Sequence, residues 1–138
     1  MADFNKVGLL VQDEAGRVLM CKKAHSTSLL ILPGGRIEEG ETDMQCLTRE
    51  LAEELGPVTA RNVEWVGAYE GIAHHDDPDI RKTLEIRLYR GELEGTPVAS
   101  AEIRQLVWFG PNDDPTLPTP IFTDQILPDL RKRGIVPW

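Results

Sequence analysis

The chain has 138 residues, 41% of them apolar and 28% charged, and a formal net charge of −8. That length suits a single domain, expected to span residues 1–138, and the acidic balance argues against a main role in gripping a nucleic-acid backbone. No run of some 18 apolar residues occurs, and "MADFNKVGLLVQDEAG" lacks a basic start and a cleavage site, so a membrane span and a secretory signal are not expected.

In chain order, "KVGLLVQD" (6–13) and "VLMCKK" (18–23) are β-rich and flank a turn at Gly16, which predicts a hairpin. "AHST" is a loop, and "SLLILP" (28–33) is a short apolar strand stopped at Pro33-Gly34-Gly35. A helix follows. Thr42 and Gln45 make a capping box at its start, and Gly56-Pro57 marks its stop. Met44, Leu47, Leu51 and Leu55 recur at helical spacing as one apolar stripe.

Beyond the helix, residues 63–72, 82–93 and 102–110 are strand candidates. "AHHDDPD" is a polar loop, "PNDDPTLPTP" is a proline-rich one, and 123–134 is a terminal helix kinked or restarted at Pro128. Strands interspersed with two helices predict an α/β or α+β fold, a sheet whose faces are covered by helices. Cys21 and Cys46 match neither a disulfide framework nor a metal pair and are read as small buried thiols in a reducing, cytoplasmic setting.

The helix breaks local rules in one place. Glu50, Glu53 and Glu54 fall within roughly one 100° arc beside the apolar stripe. Glu50 and Glu54 are a like-charge pair four apart, which costs a few tenths of a kcal/mol, and acids in a last turn oppose the helix dipole. Taken alone, such a helix reads as solvated surface, with Arg49 softening the repulsion from Glu53. The glycine turn beside it shifts the balance. A hard cation such as Mg²⁺ takes carboxylates together with substrate phosphates, and glycine lets a backbone carbonyl approach the same ion.

Gly35, Glu41, Arg49, Glu50, Leu51, Glu53, Glu54 and Gly56 stand at the spacing of G-x5-E-x7-R-E-U-x-E-E-x-G-U, where U is a bulky aliphatic residue. The stretch 35–57 therefore resembles the Nudix box; only Pro57 departs, standing where the last aliphatic residue belongs. The resemblance implies a Nudix (MutT-like) hydrolase: an α/β/α sandwich, a mixed sheet flanked by helices, with the box as loop–helix–loop. It implies hydrolysis of the diphosphate linkage in a nucleoside diphosphate joined to a moiety X, with Mg²⁺ as cofactor and Mn²⁺ as a substitute. The expected metal ligands are the Gly34 carbonyl, Glu50, Glu53 and Glu54, with Glu102 as a further ligand from outside the box. Glu53 is expected to act as general base, with Glu50 second. Gly35, Glu41, Arg49 and Gly56 are the structural residues of the box, Glu41 and Arg49 bracing loop against helix.

Arg36 is a candidate phosphate partner, assisted by Lys22, Lys23 or Arg81. His25, His74 and His75 are read as residues of wet loops, with 73–82 bordering the substrate. The family's markers for ADP-ribose, NADH and coenzyme A are not found. That leaves a nucleoside triphosphate, oxidised ones included, as the expected small-molecule partner, cleaved to monophosphate and pyrophosphate. ADP-ribose or another nucleotide sugar stays open. A non-catalytic nucleotide-sensing domain is the rival from another class, and a diphosphate isomerase is disfavoured because Cys46 lies inside the helix. A homodimer is expected from the resemblance only.

Overall fold

The computed structural model describes residues 2–24, 29–72, 79 and 81–138. The expectations for His25, His74 and His75 lie outside the described residues.

The described residues form β1 (Phe4–Leu10), β2 (Val18–Lys23), β3 (Gly34–Arg36), α1 (Asp43–Leu55), β4 (Thr59–Ile72), β5 (Thr83–Glu94) and β6 (Ile103–Phe109), then a π-helical turn (Ile121–Ile126) leading into α2 (Leu127–Lys132). β3, β1, β5 and β4 form a mixed four-stranded sheet, and β2 pairs with β6 in a second, two-stranded one. β1 is antiparallel to β3 and parallel to β5. It is buried from Val7 to Leu10, as a central strand must be when both faces are covered.

The period-two alternation of strand side chains then divides the interior into two cores. Val7, Leu9, Leu19 and Cys21 pack with Cys46, Leu47, Leu51 and Leu55 of α1. Leu10, Val18, Met20, Leu84, Ile86 and Leu88 pack with Phe122, Ile126, Leu127 and Leu130 of the terminal segment. This is a mixed β layer between helices, the α/β sandwich.

Several boundaries differ from the expectations. β1 and β2 are not a laddered hairpin. Their backbones pair near the turn, through the Gln12–Val18 bridge, the Asp13 N–H to Arg17 carbonyl bond of 3.0 Å and the Leu19 N–H to Val11 carbonyl bond of 2.9 Å, and then part to different sheets. The turn itself is well formed, since the Asp13 carboxylate accepts the Ala15 and Arg17 amides and Gly16 has φ +80°. Among its described residues, 29–33, the apolar run supplies isolated bridges at Leu30 and Ile31. The strand is Gly34–Arg36 instead, because the glycine pair adds to β1 where it was expected to stop a strand. β4 begins at Thr59, with register shifts between Arg61 and Glu64 and between Trp65 and Gly67. Met44 is 40% exposed and does not belong to the apolar stripe, which Cys46 completes. The terminal restart falls at Leu127, which leaves Pro128 in a first turn where no intrahelical amide is required.

Candidate active site

Helix α1 is anchored at both ends. Thr42 Oγ1 accepts the Gln45 amide at 3.1 Å, and the Gln45 side chain accepts the Thr42 amide at 2.9 Å. Asp43, in the first turn where an acid suits the dipole, takes both Nε and Nη2 of Arg87 and the Tyr89 hydroxyl, so the helix start is latched to β5. At the far end Gly56 adopts φ +73°, and the last carbonyls are used by other segments: Glu54 by the Ser100 amide and Leu55 by the Val98 amide. This holds the acid-bearing last turn under the glycine strand.

The three box glutamates have unlike surroundings. Glu54 is buried, at 3% exposure, and its Oε1 accepts the Gly34 N–H at 2.8 Å. Burial pushes its pKa up to about 7, with Glu50 adding to the rise and the Gly34 amide opposing it. The Glu50 side chain is 16% exposed and accepts Arg49 Nη1 at 2.7 Å. Glu53 is 55% exposed and lies 3.9 Å from the same guanidinium nitrogen. Burial thus increases from Glu53 through Glu50 to Glu54 across one helix face.

The glycines have steric reasons. A side chain on Gly35 would occupy the space of the Glu50 carboxylate, and one on Gly34, at φ +135°, would run into the Val7 carbonyl. Arg49 ties the connecting loop to the helix. Its Nε and Nη2 hold the two oxygens of Glu41 at 2.8 and 2.9 Å, and Nη2 also reaches the Arg36 carbonyl at 3.0 Å. Those bonds, with the Glu38 amide on Glu41, hold the Glu41 pKa down at about 2. Cys46 sits beneath this loop, its thiol 3.4 Å from the Arg36 carbonyl and its pKa pushed up to about 11 by burial. It is therefore a packed thiol, and an isomerase role for it finds no support.

A pocket of about 560 Å³ opens beside the glycine strand. Gly34, Gly35, Arg36, Glu50, Glu54 and Glu102 line it, so the loop, the helix and the outside acid meet in one space. The lining includes Lys23 and not Lys22, and Glu53 stands outside it. Glu102 holds Lys23 at 3.5 Å, and its carbonyl accepts the Ala24 amide. Two functional candidates escaped the reading of the sequence: Lys6, which also lines the pocket, and the Asp43–Arg87–Tyr89 latch. The signal for Lys6 was a lone charge at the mouth of an apolar strand; the latch depends on residues far apart in sequence and gave none.

The donors around this space are carboxylate oxygens, the chemistry a hard divalent cation takes. Among the described residues no three His, Cys, Asp or Glu side chains form a finished cage. That suits a cation such as Mg²⁺, which keeps waters and substrate phosphates in its shell and takes only one or two carboxylates. The residues present fit such an ion, and a cation would offset the cost of burying Glu54 beside Glu50.

A β layer between helices, with a glycine strand packed on an acid-rich, arginine-braced helix, defines the class. The NUDIX domain family model matches residues 4–130, and the chain belongs to that family. It is similar to an 8-oxo-dGTP diphosphatase of Escherichia coli strain K12, with 30% identity over 118 residues, 81% of this chain and 88% of that protein. A provisionally named 8-oxo-dGTP diphosphatase of Mycobacterium tuberculosis is 38% identical over 77 residues, 56% of this chain. The match spans about half, 50%, of that relative's length. Among solved structures, the MutT protein of Methanosarcina mazei Go1 superposes with a TM-score of 0.72 over 94% of both chains at 17% identity, a likeness of fold. No helix among the described residues is long and apolar enough to cross a membrane.

Proposed function

We propose that the chain is a divalent-cation-dependent hydrolase that cleaves the diphosphate linkage of a nucleoside diphosphate joined to X. The favoured substrate is a nucleoside triphosphate, oxidised ones included, split by water into a nucleoside monophosphate and pyrophosphate. One observation carries the reading: Glu54, buried against the Gly34 amide, shares a pocket with Glu50 and the glycine strand. The names of the relatives from E. coli and M. tuberculosis support the same substrate class.

Glu50, Glu53, Glu54, Glu102 and the Gly34 carbonyl are the proposed holders of the cation. Mg²⁺, or Mn²⁺ in its place, supplies charge neutralisation for the diphosphate and acidifies water. The chain's own residues do the rest. Glu53, the most exposed of the three box acids, has the freest access to water and is the proposed base, with Glu50 beside it second. Arg36 and Lys23 face the same pocket and would orient the phosphates. Lys22, outside the lining, is at most an outer partner. Assembly as a homodimer is proposed on the family resemblance, and gel filtration with light scattering tests it.

Nucleoside monophosphate release on a nucleotide panel, with Mg²⁺ added or withheld, tests the function. The expected result is cation-dependent release from triphosphates. Release from nucleotide sugars alone would reassign the substrate, and saturable binding without release would identify a sensor. Glu53→Gln and Glu54→Gln are each expected to lower turnover by orders of magnitude with the fold intact; near-normal turnover in the double variant would overturn the assignment.

A further inference from the structure

β1 is buried and uncharged from Val7 to Leu10, yet Lys6 stands immediately before that run. The antiparallel register places Lys6 directly opposite Arg36 of β3, so the two cations project on the same face of paired strands. Like charges so placed are destabilising by themselves. The Arg36 guanidinium carbon lies 3.9 Å from the centroid of the Phe4 ring on the same face of β1, a cation–π contact that favours its place there. Lys23 enters the same pocket as a third cation, although Glu102 lies 3.5 Å from it.

Lys6 is half-buried, and among the described residues it has no hydrogen-bond or ion-pair partner. Burial first, then Lys23 and Arg36, hold its pKa below the ordinary lysine value, while Glu54 and Glu50 pull weakly the other way. A cation with no direct partner in a partly dehydrated space, facing two further cations and only more distant carboxylates, is placed to receive an anionic ligand.

The strand pairing also locates Lys6 within the pocket. On one flank is β3, with Arg36 and the glycine pair over Glu50 and Glu54; on the other is β5, with Ile86 opposite Lys6 and Leu84 beyond. A nucleotide lying across this pocket brings its diphosphate to the charged flank and its nucleoside to the aliphatic one. We propose that Lys6 is a substrate-binding residue whose ammonium grips the phosphate directly attached to the nucleoside. The assignment rests on the nucleotide reading above and adds to it a residue outside the box. A donor with three hydrogens and no acceptor suits phosphate oxygens, and its attraction is stronger in a partly dehydrated pocket than in water.

The test is calorimetric titration of the full chain with AMP and dGMP, and with adenosine and deoxyguanosine as phosphate-free probes. Lys6→Met keeps the length of the side chain and removes the charge. It is expected to weaken monophosphate binding tenfold or more, to leave nucleoside binding within twofold, and to raise KM for the triphosphate more than it lowers kcat. Lys6→Arg is expected to restore part of the loss. Should Lys6→Met fail to fold, Lys6→Gln carries the same comparison. Unchanged monophosphate affinity overturns the proposal, as does an equal loss for monophosphate and nucleoside, which a packing role would produce. A wild-type chain that binds no monophosphate overturns it as well. Lys6-dependent binding without any Mg²⁺-dependent hydrolysis would instead sink the hydrolase reading and leave Lys6 in place.

Discussion

Arg49 shows how one side chain can join the parts of a candidate site. Its fork closes on both oxygens of Glu41, one nitrogen reaches the Arg36 carbonyl, and another meets Glu50. Loop, glycine strand and acid helix are thereby joined at a single planar group, which lysine's point charge would not reproduce. The bond from Arg49 has a pH signature through Glu41. Its carboxyl is held down at about 2 in the folded chain against an ordinary 4.5, so the native state binds fewer protons than the unfolded one between those values. The stabilisation is complete above about pH 4.5 and is lost as the pH falls toward 2. Thermal melts of Glu41→Gln are expected to show a shallower fall in Tm than wild type across that window, and a lower Tm at pH 7. Parallel curves would show that the pair is not coupled to folding.

Helix α1 is held in place by how its ends are fastened. The capping box at Thr42 and the latch from Asp43 to Arg87 and Tyr89 fix its start, while Gly56 and the amides of Val98 and Ser100 fix its end. Its last turn holds no basic residue, so relief for its acids comes from outside that turn: Arg49 Nη1 lies 3.9 Å from Glu53, and the Gly34 amide donates to Glu54 at 2.8 Å. Removing the cap with Thr42→Ala is expected to cost about 1 kcal/mol in urea unfolding. Asp43→Ala removes the latch as well as an acid from the first turn, and its cost is expected to exceed that of Thr42→Ala. Equal costs would mean that the latch contributes nothing. The capping box was legible because it depends on residues three apart. The latch was not, because Arg87 and Tyr89 reach Asp43 only through the packing of β5 against the helix.

Two cores on opposite faces of one β layer make the molecule two packing problems that share strands. Leu51, 2% exposed, belongs to the α1 side, and Leu130, fully buried, to the α2 side. Each truncation to alanine is expected to cost about 2–5 kcal/mol. Because the two side chains belong to different clusters, the double variant is expected to lose the sum of the two within about 0.5 kcal/mol. A large departure in urea denaturation would show that the strands transmit strain between the faces. The second core is closed by the chain end, where the Trp138 indole donates to the Gly16 carbonyl at 2.8 Å and Gln12 donates to the Ile135 carbonyl at 3.1 Å. Asp129 adds a bond from the Tyr69 hydroxyl at 2.6 Å, pinning α2 to β4.

The helix, its caps, the acid arc and the glycine pair were all legible in the order of residues, because each depends on neighbours within one or two turns. The α/β class was legible too, since period-two and period-3.6 patterns are local. Partnership between distant strands was not. An apolar run such as "KVGLLVQD" specifies a strand without naming its neighbour, so the anticipated hairpin gave way to pairings with β3 and β5. The same long-range pairing set Lys6 against Arg36 and turned Lys23, not Lys22, into the pocket. Packing alone then assigned Glu54 to the interior and Glu53 to water, because depth of burial is a property of what closes over a helix and not of the helix itself.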